Sequence, residues 1–358
     1  MAKEGIALVM IEDCESRRDP GLRWLSGQPG DAMLFLSVDK KNLLVPWDKN
    51  MAMLYSQCDA VIPLEEFERK PMKALKGAAD FLKTPPGSRI EIPAVTPYPL
   101  FLKYVEEISD FDIICRDNGT GKELERNRAI KDEDEIQIYK KLSILTSDLV
   151  NLLEKNVISG KIKTETDAAL FIETEARKRN CEGTGFDTIA AGPGRSFGIH
   201  AFPAYTSGSF ASPGLSILDF GLKYLGYTSD VTLTFAREPL SKQQEKMITL
   251  VEKAYSLAVS MAEKGASCRN VAAAVDMFFS KSKKKMPHGL GHGIGLQAHE
   301  APAIRNRADN EWILEPGMIF TLEPGLYDHE HGGCRLENDI LITDNGAEVL
   351  TNSRIVRL

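Results

Sequence analysis

Two pairs of acidic residues, each placed evenly about a chain reversal, constrain this sequence more than any other feature. Asp219 and Asp230 flank Tyr224–Leu225 in SILDFGLKYLGYTSDVTLTF, with Gly221 and Gly226 punctuating the stretch as in a hairpin. A turn centred on Tyr224–Leu225 sets the two aspartates opposite each other, with Cβ atoms about 5 Å apart. The second strand alternates, with Thr228, Asp230, Thr232 and Thr234 on one face and Val231, Leu233 and Phe235 on the other. Glu323 and Glu337 repeat the arrangement about Glu330, inside the polar stretch Asp328–Gly333. Their flanking runs, Met318–Leu322 and Leu336–Ile342, read as strands. Like charges set opposite each other destabilise a sheet unless a cation lies between them. The four carboxylates carry −4 and two divalent cations carry +4, so a loaded site is near neutral and an empty one repels itself.

The rest of the composition is ordinary for a globular chain: 43% hydrophobic and 27% charged over 358 residues, enough for one large or two smaller domains. A net charge of −7 argues against a nucleic-acid partner, which needs a concentrated basic surface. The apolar run before Glu12 is too short for a signal-peptide core, and no stretch approaches a membrane span. Six scattered cysteines without a CxxC pair point to reduced thiols and a cytoplasmic setting. Cys334, beside a carboxylate strand, reads as a small filler residue.

The chain divides by pattern. Residues 1–125 read as a small α/β domain, with strands at Ala32–Val38 and Asn42–Pro46 and helical spacing over Phe67–Phe81. All six histidines lie at or beyond residue 200, so this part supplies no imidazole. Asp117–Lys122 is the expected linker. Residues 126–358 follow as the second domain. There, Asp132 with Glu135 and Ser241 with Gln244 fit helix capping boxes, and a third helix is expected over about Arg269–Phe279. Leu142, Leu145, Leu149 and Leu152, and the apolar stripe from Met247 to Met261, read as core. Helices alternating with antiparallel strands give an α+β class. The run Gly289-Leu-Gly-His-Gly-Ile-Gly lacks the Lys-Ser/Thr of a phosphate loop, so its glycines are expected to let backbone pass close to a bound group.

Four ordered motifs, DFG…GYTSDVTLTF, HGLGHGIGLQAHE, EPGMIFTLEPGLY and GGCRLEND, resemble the pita-bread metallopeptidases: methionine aminopeptidase, aminopeptidase P and prolidase. The segments Leu22–Gly27 and Asn42–Ala52 resemble, more faintly, the creatinase-like amino-terminal domain of the proline-specific branch. The resemblance implies a pita-bread catalytic domain preceded by that smaller domain. It implies two divalent ions held by Asp219, Asp230, His292, Glu323 and Glu337, with Asp230 and Glu337 bridging. Oxygen-rich ligation with one imidazole suits Mn²⁺, which we favour, and also Co²⁺, Zn²⁺ or Fe²⁺. Two such ions about 3.5–4 Å apart share and deprotonate a water.

The same resemblance makes Glu323 the general base and gives substrate roles to His200, His288 and His299, with His299 stabilising the oxyanion. Arg335, two residues before Glu337, is expected to fix the carboxylates and to help anchor a substrate carboxylate. Ala303 departs from several prolidases that carry an arginine nearby; Arg305 is the alternative. His329 and His331 read as solvated. The implied activity is cleavage before proline in dipeptides or short peptides. An Xaa-Pro dipeptidase is slightly favoured over aminopeptidase P acting on longer peptides, and a homodimer is implied. A creatinase-like amidinohydrolase does not require the five ligands, and non-catalytic peptide-binding relatives have typically lost them.

Overall fold

In the computed structural model, which describes residues 1–358, the apolar runs of the first third collect into one mixed sheet. The chain divides into two units, Met1–Asn127 and Arg128–Leu358. The first unit runs β1 (Ile6–Asp13), α1 (Pro20–Ser26), β2 (Ala32–Ser37), β3 (Asn42–Pro46), α2 (Lys49–Tyr55), β4 (Ala60–Val61), α3 (Pro71–Phe81), β5 (Arg89–Ile92), α4 (Tyr98–Glu107) and β6 (Asp112–Cys115). The sheet order is β4-β3-β2-β1-β5-β6, with apolar clusters on both faces. The helix expected from Phe67 starts only at Pro71, because Glu68 and Arg69 take left-handed backbone (φ 53 and 56) that breaks the run.

The expected linker is a correction. Asp117–Lys122 is a turn followed by the first turn of α5 (Thr120–Ala129). The buried Glu91 carboxylate accepts from the Thr120 backbone N–H at 2.6 Å and from its hydroxyl at 3.2 Å, which anchors the helix start. Gly119 is required there, since a Cβ would sit 1.9 Å from Glu91 Oε1.

The second unit begins with α6 (Glu133–Ile158) and α7 (Glu165–Lys178), then β7 (Gly183–Thr184), β8 (Ile189–Ala191), β9 (Gly214–Phe220), β10 (Leu222–Tyr224), β11 (Tyr227–Thr228) and β12 (Val231–Arg237). It continues with α8 (Lys242–Met261), α9 (Cys268–Lys281), β13 (Gly291–Gly293), β14 (Glu300–Ile304), β15 (Ile319–Leu322), β16 (Gly325–Asp328), β17 (Gly332–Arg335), β18 (Asn338–Thr343), β19 (Gly346–Val349) and β20 (Ile355–Arg357). Capping boxes at Asp132/Glu135 and Ser241/Gln244 start α6 and α8, and Ser267 caps α9. The main sheets are β20-β12-β9-β8 and β14-β13-β15-β18-β19.

Each helix pair covers its own core. Leu142, Leu149, Leu153 and Ile172 of α6 and α7 pack with Leu218, Phe220, Leu233 and Phe235. Met247, Val251, Val271 and Phe279 of α8 and α9 pack with Leu290, Phe320, Leu322 and Ile340. The polar rows left over by this strand alternation meet where the Glu337 N–H reaches the Thr232 carbonyl at 3.2 Å.

Both reversals exist, and one is displaced. The first turn is centred on Leu225–Gly226, since Tyr224 pairs with Tyr227 and Lys223 with Thr228. Leu225 (φ 50) and Gly226 (φ 88) supply the two successive positive φ values that a tight hairpin of this hand demands. Asp219 therefore opposes Thr232, not Asp230. Moving the turn by one residue shifts the pairing by two, so facial parity survives. The aspartates become diagonal neighbours on one face, typically ~7–8 Å apart, instead of a directly opposed pair. In the second reversal Leu322 opposes Asn338 and Gly325 opposes Arg335, which puts Glu323 and Glu337 on the same register step.

The glycines of the 289–295 run act within the sheet. A Cβ on Gly291 would meet the Thr321 carbonyl oxygen at 1.9 Å, and one on Gly293 the Ala301 carbonyl oxygen at 2.0 Å. No helix is long and apolar enough to cross a membrane, and all six cysteines are free. Gly293→Ala is expected to destabilise the second unit by about 1–3 kcal/mol or more, because the Ala301–Pro302 backbone must move. Gly121→Ala, in open space on α5, should gain about 0.4–1 kcal/mol from reduced unfolded-chain freedom. Thermal unfolding of both variants reads the contrast, and an unchanged Tm for Gly293→Ala contradicts the packing described.

Candidate metal centre

Strand alternation, the two reversals and the glycine run bring five expected donors to one place. Asp230, His292 and Glu337 offer ligand atoms that all lie within 4.8 Å of one another. His292 Nε2 is 3.5 Å from Glu323 Oε1 and 3.8 Å from Asp230 Oδ2. Asp219 borders the group, tied to it through Arg335 and Thr232. Arg335 donates from Nη2 to Asp219 Oδ2 at 2.6 Å and from Nε to the Thr232 hydroxyl at 2.9 Å. That hydroxyl donates to Glu337 Oε2 at 2.6 Å. Asp219, Asp230 and Glu337 are 7%, 4% and 2% exposed. The Glu323 side chain, at 18%, is the most accessible of the four carboxylates.

Buried like charges raise one another's proton affinity. Burial and then Glu337 push Asp230 well above the usual aspartate range, with Asp219, Asp339 and Glu323 adding to the shift. Burial and Glu337 do the same to Glu323. Glu337 is pushed up to about 7 by burial and Asp219, against the opposing pull of Arg335 and the Thr232 and Thr321 hydroxyls. Burial opposes the charge on Arg335, but Tyr327, Asp219, Glu337 and Glu323 together hold the guanidinium firmly protonated.

The donor set fits divalent cations on three observations. Asp219 Oδ1 is buried without a hydrogen-bond partner. Four carboxylates face one guanidinium. The imidazole of His292 is in the tautomer that ligation needs: Nδ1 lies 3.3 Å from the Gly293 carbonyl, so it carries the proton and leaves the Nε2 lone pair toward Asp230 and Glu323. Burial, followed by repulsion from His299, lowers its pKa to about 3, so the ring is neutral at pH 7.

The other expected residues separate by environment. His299 is exposed, its ring 4.1 Å from that of His292, and burial and His200 lower its pKa. His200 is exposed and close enough to His288, His292 and His299 to contribute to the lowering of their pKa values. His288 is locked. Its Nδ1 donates to the Gly289 carbonyl at 2.7 Å, so Nε2 accepts from the Tyr327 hydroxyl at 3.0 Å, and its pKa falls to about 4, mainly through burial. Only its ring edge is left for substrate. Arg335 is 1% exposed, and every guanidinium nitrogen is engaged, Nη1 with the Ile199 carbonyl at 3.0 Å and the Tyr327 hydroxyl at 2.7 Å. It ties Asp219 directly and Glu337 through Thr232; the substrate contact also expected of it would have to share or displace one of these bonds. His329 is exposed against Phe197, and His331 is half-buried. Burial pushes the Cys334 thiol up to about 12.

Four supporting residues were not anticipated. Asp339 is fully buried and accepts the Asp230 backbone N–H at 3.1 Å, where the β9–β12 ladder is interrupted. Thr232 and Thr321 hold carboxylate and histidine backbone, the Thr321 hydroxyl accepting the His292 N–H at 3.2 Å. Tyr327 joins Arg335 to His288. The available signals were Asp339 two residues beyond Glu337, and threonines spaced by two along a buried strand.

Residues 137–344 match metallopeptidase family M24. The chain is 32% identical over 257 residues to an uncharacterized peptidase of Methanocaldococcus jannaschii, covering 71% of this chain and 70% of the relative. It is 27% identical over 364 residues to an Xaa-Pro dipeptidase of Pyrococcus horikoshii, covering 99% and 95%. The crystal structure of an X-Pro aminopeptidase from Thermotoga maritima superposes with a TM-score of 0.84 at 26% identity, covering 99% of this chain and 98% of the other.

The carboxylate shifts set a pH dependence for metal-free protein. Folding raises the Glu337 pKa from ~4.3 to about 7, so the stability it contributes is present below the lower value and is lost as pH rises through the higher. Asp230 and Glu323 act in the same sense. His292 acts only below its unfolded value of ~6.5, where falling pH costs stability. Between about pH 6.5 and 7.5, therefore, the chelated protein should lose Tm as pH rises through the Glu337 value, and Mn²⁺-loaded protein should not. Scanning calorimetry of both forms measures this. A chelated Tm that rises across the window contradicts the buried carboxylate cluster.

Proposed function

This chain belongs to metallopeptidase family M24, and from that premise we propose that it hydrolyses the peptide bond before proline, as an Xaa-Pro dipeptidase. The carrying observation is the convergence of Asp230, His292 and Glu337 with Glu323 and the half-satisfied Asp219. The near full-length relative that bears the name Xaa-Pro dipeptidase supports the substrate class. Aminopeptidase action on longer Xaa-Pro peptides is the second reading, favoured by the Thermotoga structure.

In this reading Asp219, Asp230, His292, Glu323 and Glu337 would hold two divalent cations, Mn²⁺ favoured, with Asp230 and Glu337 as the central carboxylates of the set. Bound there, the cations supply a deprotonated water near neutral pH and an electrophile for the scissile carbonyl. Glu323, the most accessible carboxylate of the set, takes the proton of the attacking water and passes it to the departing nitrogen. His299 is neutral and free of hydrogen bonds to other side chains, so an imidazole N–H is available to the oxyanion. His200 lies near enough to His288, His292 and His299 to contribute to the lowering of their pKa values, and the His288 ring is fixed by Tyr327.

Cleavage of Xaa-Pro, Xaa-Pro-Yaa and a non-proline dipeptide by metal-loaded protein, with product lengths read by mass, tests the reading. Indifference to proline overturns it. His299→Ala should retain near-stoichiometric metal while kcat falls by roughly 10²–10³, with a smaller rise in KM. His292→Ala should lose or weaken one metal. Paired metal analysis and steady-state kinetics check both variants, and metal loss in His299→Ala but not in His292→Ala means the roles are exchanged.

A further inference from the structure

We propose that Glu300 is a positioning residue for His299, held in that role by a buried ion pair with Arg128. The proposal rests on the oxyanion role given to His299 above and adds what keeps that imidazole in place. His299 is exposed, and its ring lies 4.1 Å from that of His292. Exposure leaves its placement to the backbone that carries it.

That backbone is a short turn beyond the β13–β14 ladder, whose last pair is Gly293 with Glu300. Within it the Gly295 N–H reaches the Gln297 carbonyl at 3.0 Å, and the Gly295 carbonyl accepts the Thr228 N–H at 2.9 Å. One carboxylate closes the turn. Glu300 Oε1 accepts the Gln297 N–H at 2.9 Å, so the two residues flanking Ala298 and His299 are tied to each other. Successive residues of extended backbone point to opposite sides. Glu300 accordingly turns inward, its side chain 3% exposed, while His299 faces out. Gly295 leaves the carboxylate its space, since a Cβ there would collide with it.

Arg128 holds the same oxygen from below, its Nη2 2.5 Å from Glu300 Oε1 and its side chain 9% exposed. The chain after Arg128 is itself fixed: Ile130 bridges to Met318, and the Lys131 N–H reaches the Gly317 carbonyl at 2.9 Å. Lys131 is buried with no hydrogen-bond partner for its ammonium, so Glu300 and Glu135 hold it by charge. Glu135 in turn accepts from the Tyr227 hydroxyl at 2.8 Å, next to the Thr228 that binds Gly295. Two cations thus face two anions, and none of the four belongs to the metal donors. A buried ion pair contributes little net stability, because desolvation offsets the attraction. What a charge-assisted hydrogen bond does supply is a fixed direction, and here it fixes the turn on which His299 stands.

The test uses Mn²⁺-loaded enzyme and Ala-Pro, with Glu300→Gln, His299→Ala and the two combined, and metal content measured on each. Glu300→Gln keeps an acceptor for the Gln297 N–H but loses the charge that Arg128 meets. It should retain its metal, lose about tenfold or more in kcat and change KM by less than about threefold. In the His299→Ala background the same substitution should cost less than about twofold, because its effect runs through that imidazole. If Glu300→Gln does not fold, Arg128→Met combined with Glu300→Gln removes both charges at once and should show the same loss. Arg128→Lys, which keeps the charge, should recover part of what Arg128→Met loses. Amide hydrogen exchange gives a readout apart from activity: over residues 295–300 it should quicken about tenfold in Glu300→Gln, with α8 unchanged. Equal kcat losses in the two backgrounds, loss of metal, unchanged exchange over 295–300, or quickening that extends to α8 each overturn the proposal. Wild-type enzyme that cleaves no Xaa-Pro substrate overturns the function reading, and the exchange data then decide alone whether Glu300 fixes the His299 turn.

Discussion

Burial of four carboxylates against one guanidinium is the constraint from which the rest of the second unit follows. Asp219, Asp230 and Glu337 are each less than a tenth exposed, and Glu323 sits beside them. No such group is stable as an isolated cluster of anions. The protein answers locally with hydrogen bonds to the carboxylates: Arg335 on Asp219, Thr232 on Glu337 and Thr321 on Glu337. These satisfy part of the set and leave Asp219 Oδ1 and the His292 Nε2 lone pair unanswered. Neutralisation comes from protons, as the raised carboxylate pKa values register, or from bound cations, for which the cluster offers the donors.

The scaffold converts two chain reversals into one site. Helices α6 and α7 cover the apolar face of one sheet and α8 and α9 that of the other, so the polar faces are left to meet. Strand parity then decides which side chains arrive. The interruption of the β9–β12 ladder at Asp230 frees its N–H, and the Asp339 carboxylate takes it. Arg335 ties three parts of the chain together, the Asp219 strand, the Ile199 carbonyl next to His200, and Tyr327. Through Tyr327 it also fixes the tautomer of His288. His299 and His200, for which substrate roles are proposed, are left exposed.

Parity explains why much of this was legible in the sequence. A turn misplaced by one residue still left Asp219 and Asp230 on one face, because the error in pairing was even. The capping boxes at Asp132 and Ser241 were legible because they are local. What escaped was set by distant contacts. Asp117–Lys122 has linker composition, but Glu91, far away in the chain, anchors it as a helix start. The glycines of the 289–295 run were expected to make room for a bound group, and they make room for neighbouring backbone. Arg335 sits beside Glu337 in the sequence, yet its guanidinium reaches Asp219, a pairing that only the sheet arrangement creates. Asp339 carries no signature except its spacing from Glu337.

The central claim is that these carboxylates and His292 hold two divalent cations. Calorimetric titration of chelated protein with Mn²⁺, with metal content measured on the end product, tests it most directly. Two ions per chain are expected, and at most one in Asp230→Asn if its carboxylate serves both positions. Binding of no ion or a single ion by the wild type, or of two with unchanged affinity by Asp230→Asn, would contradict it.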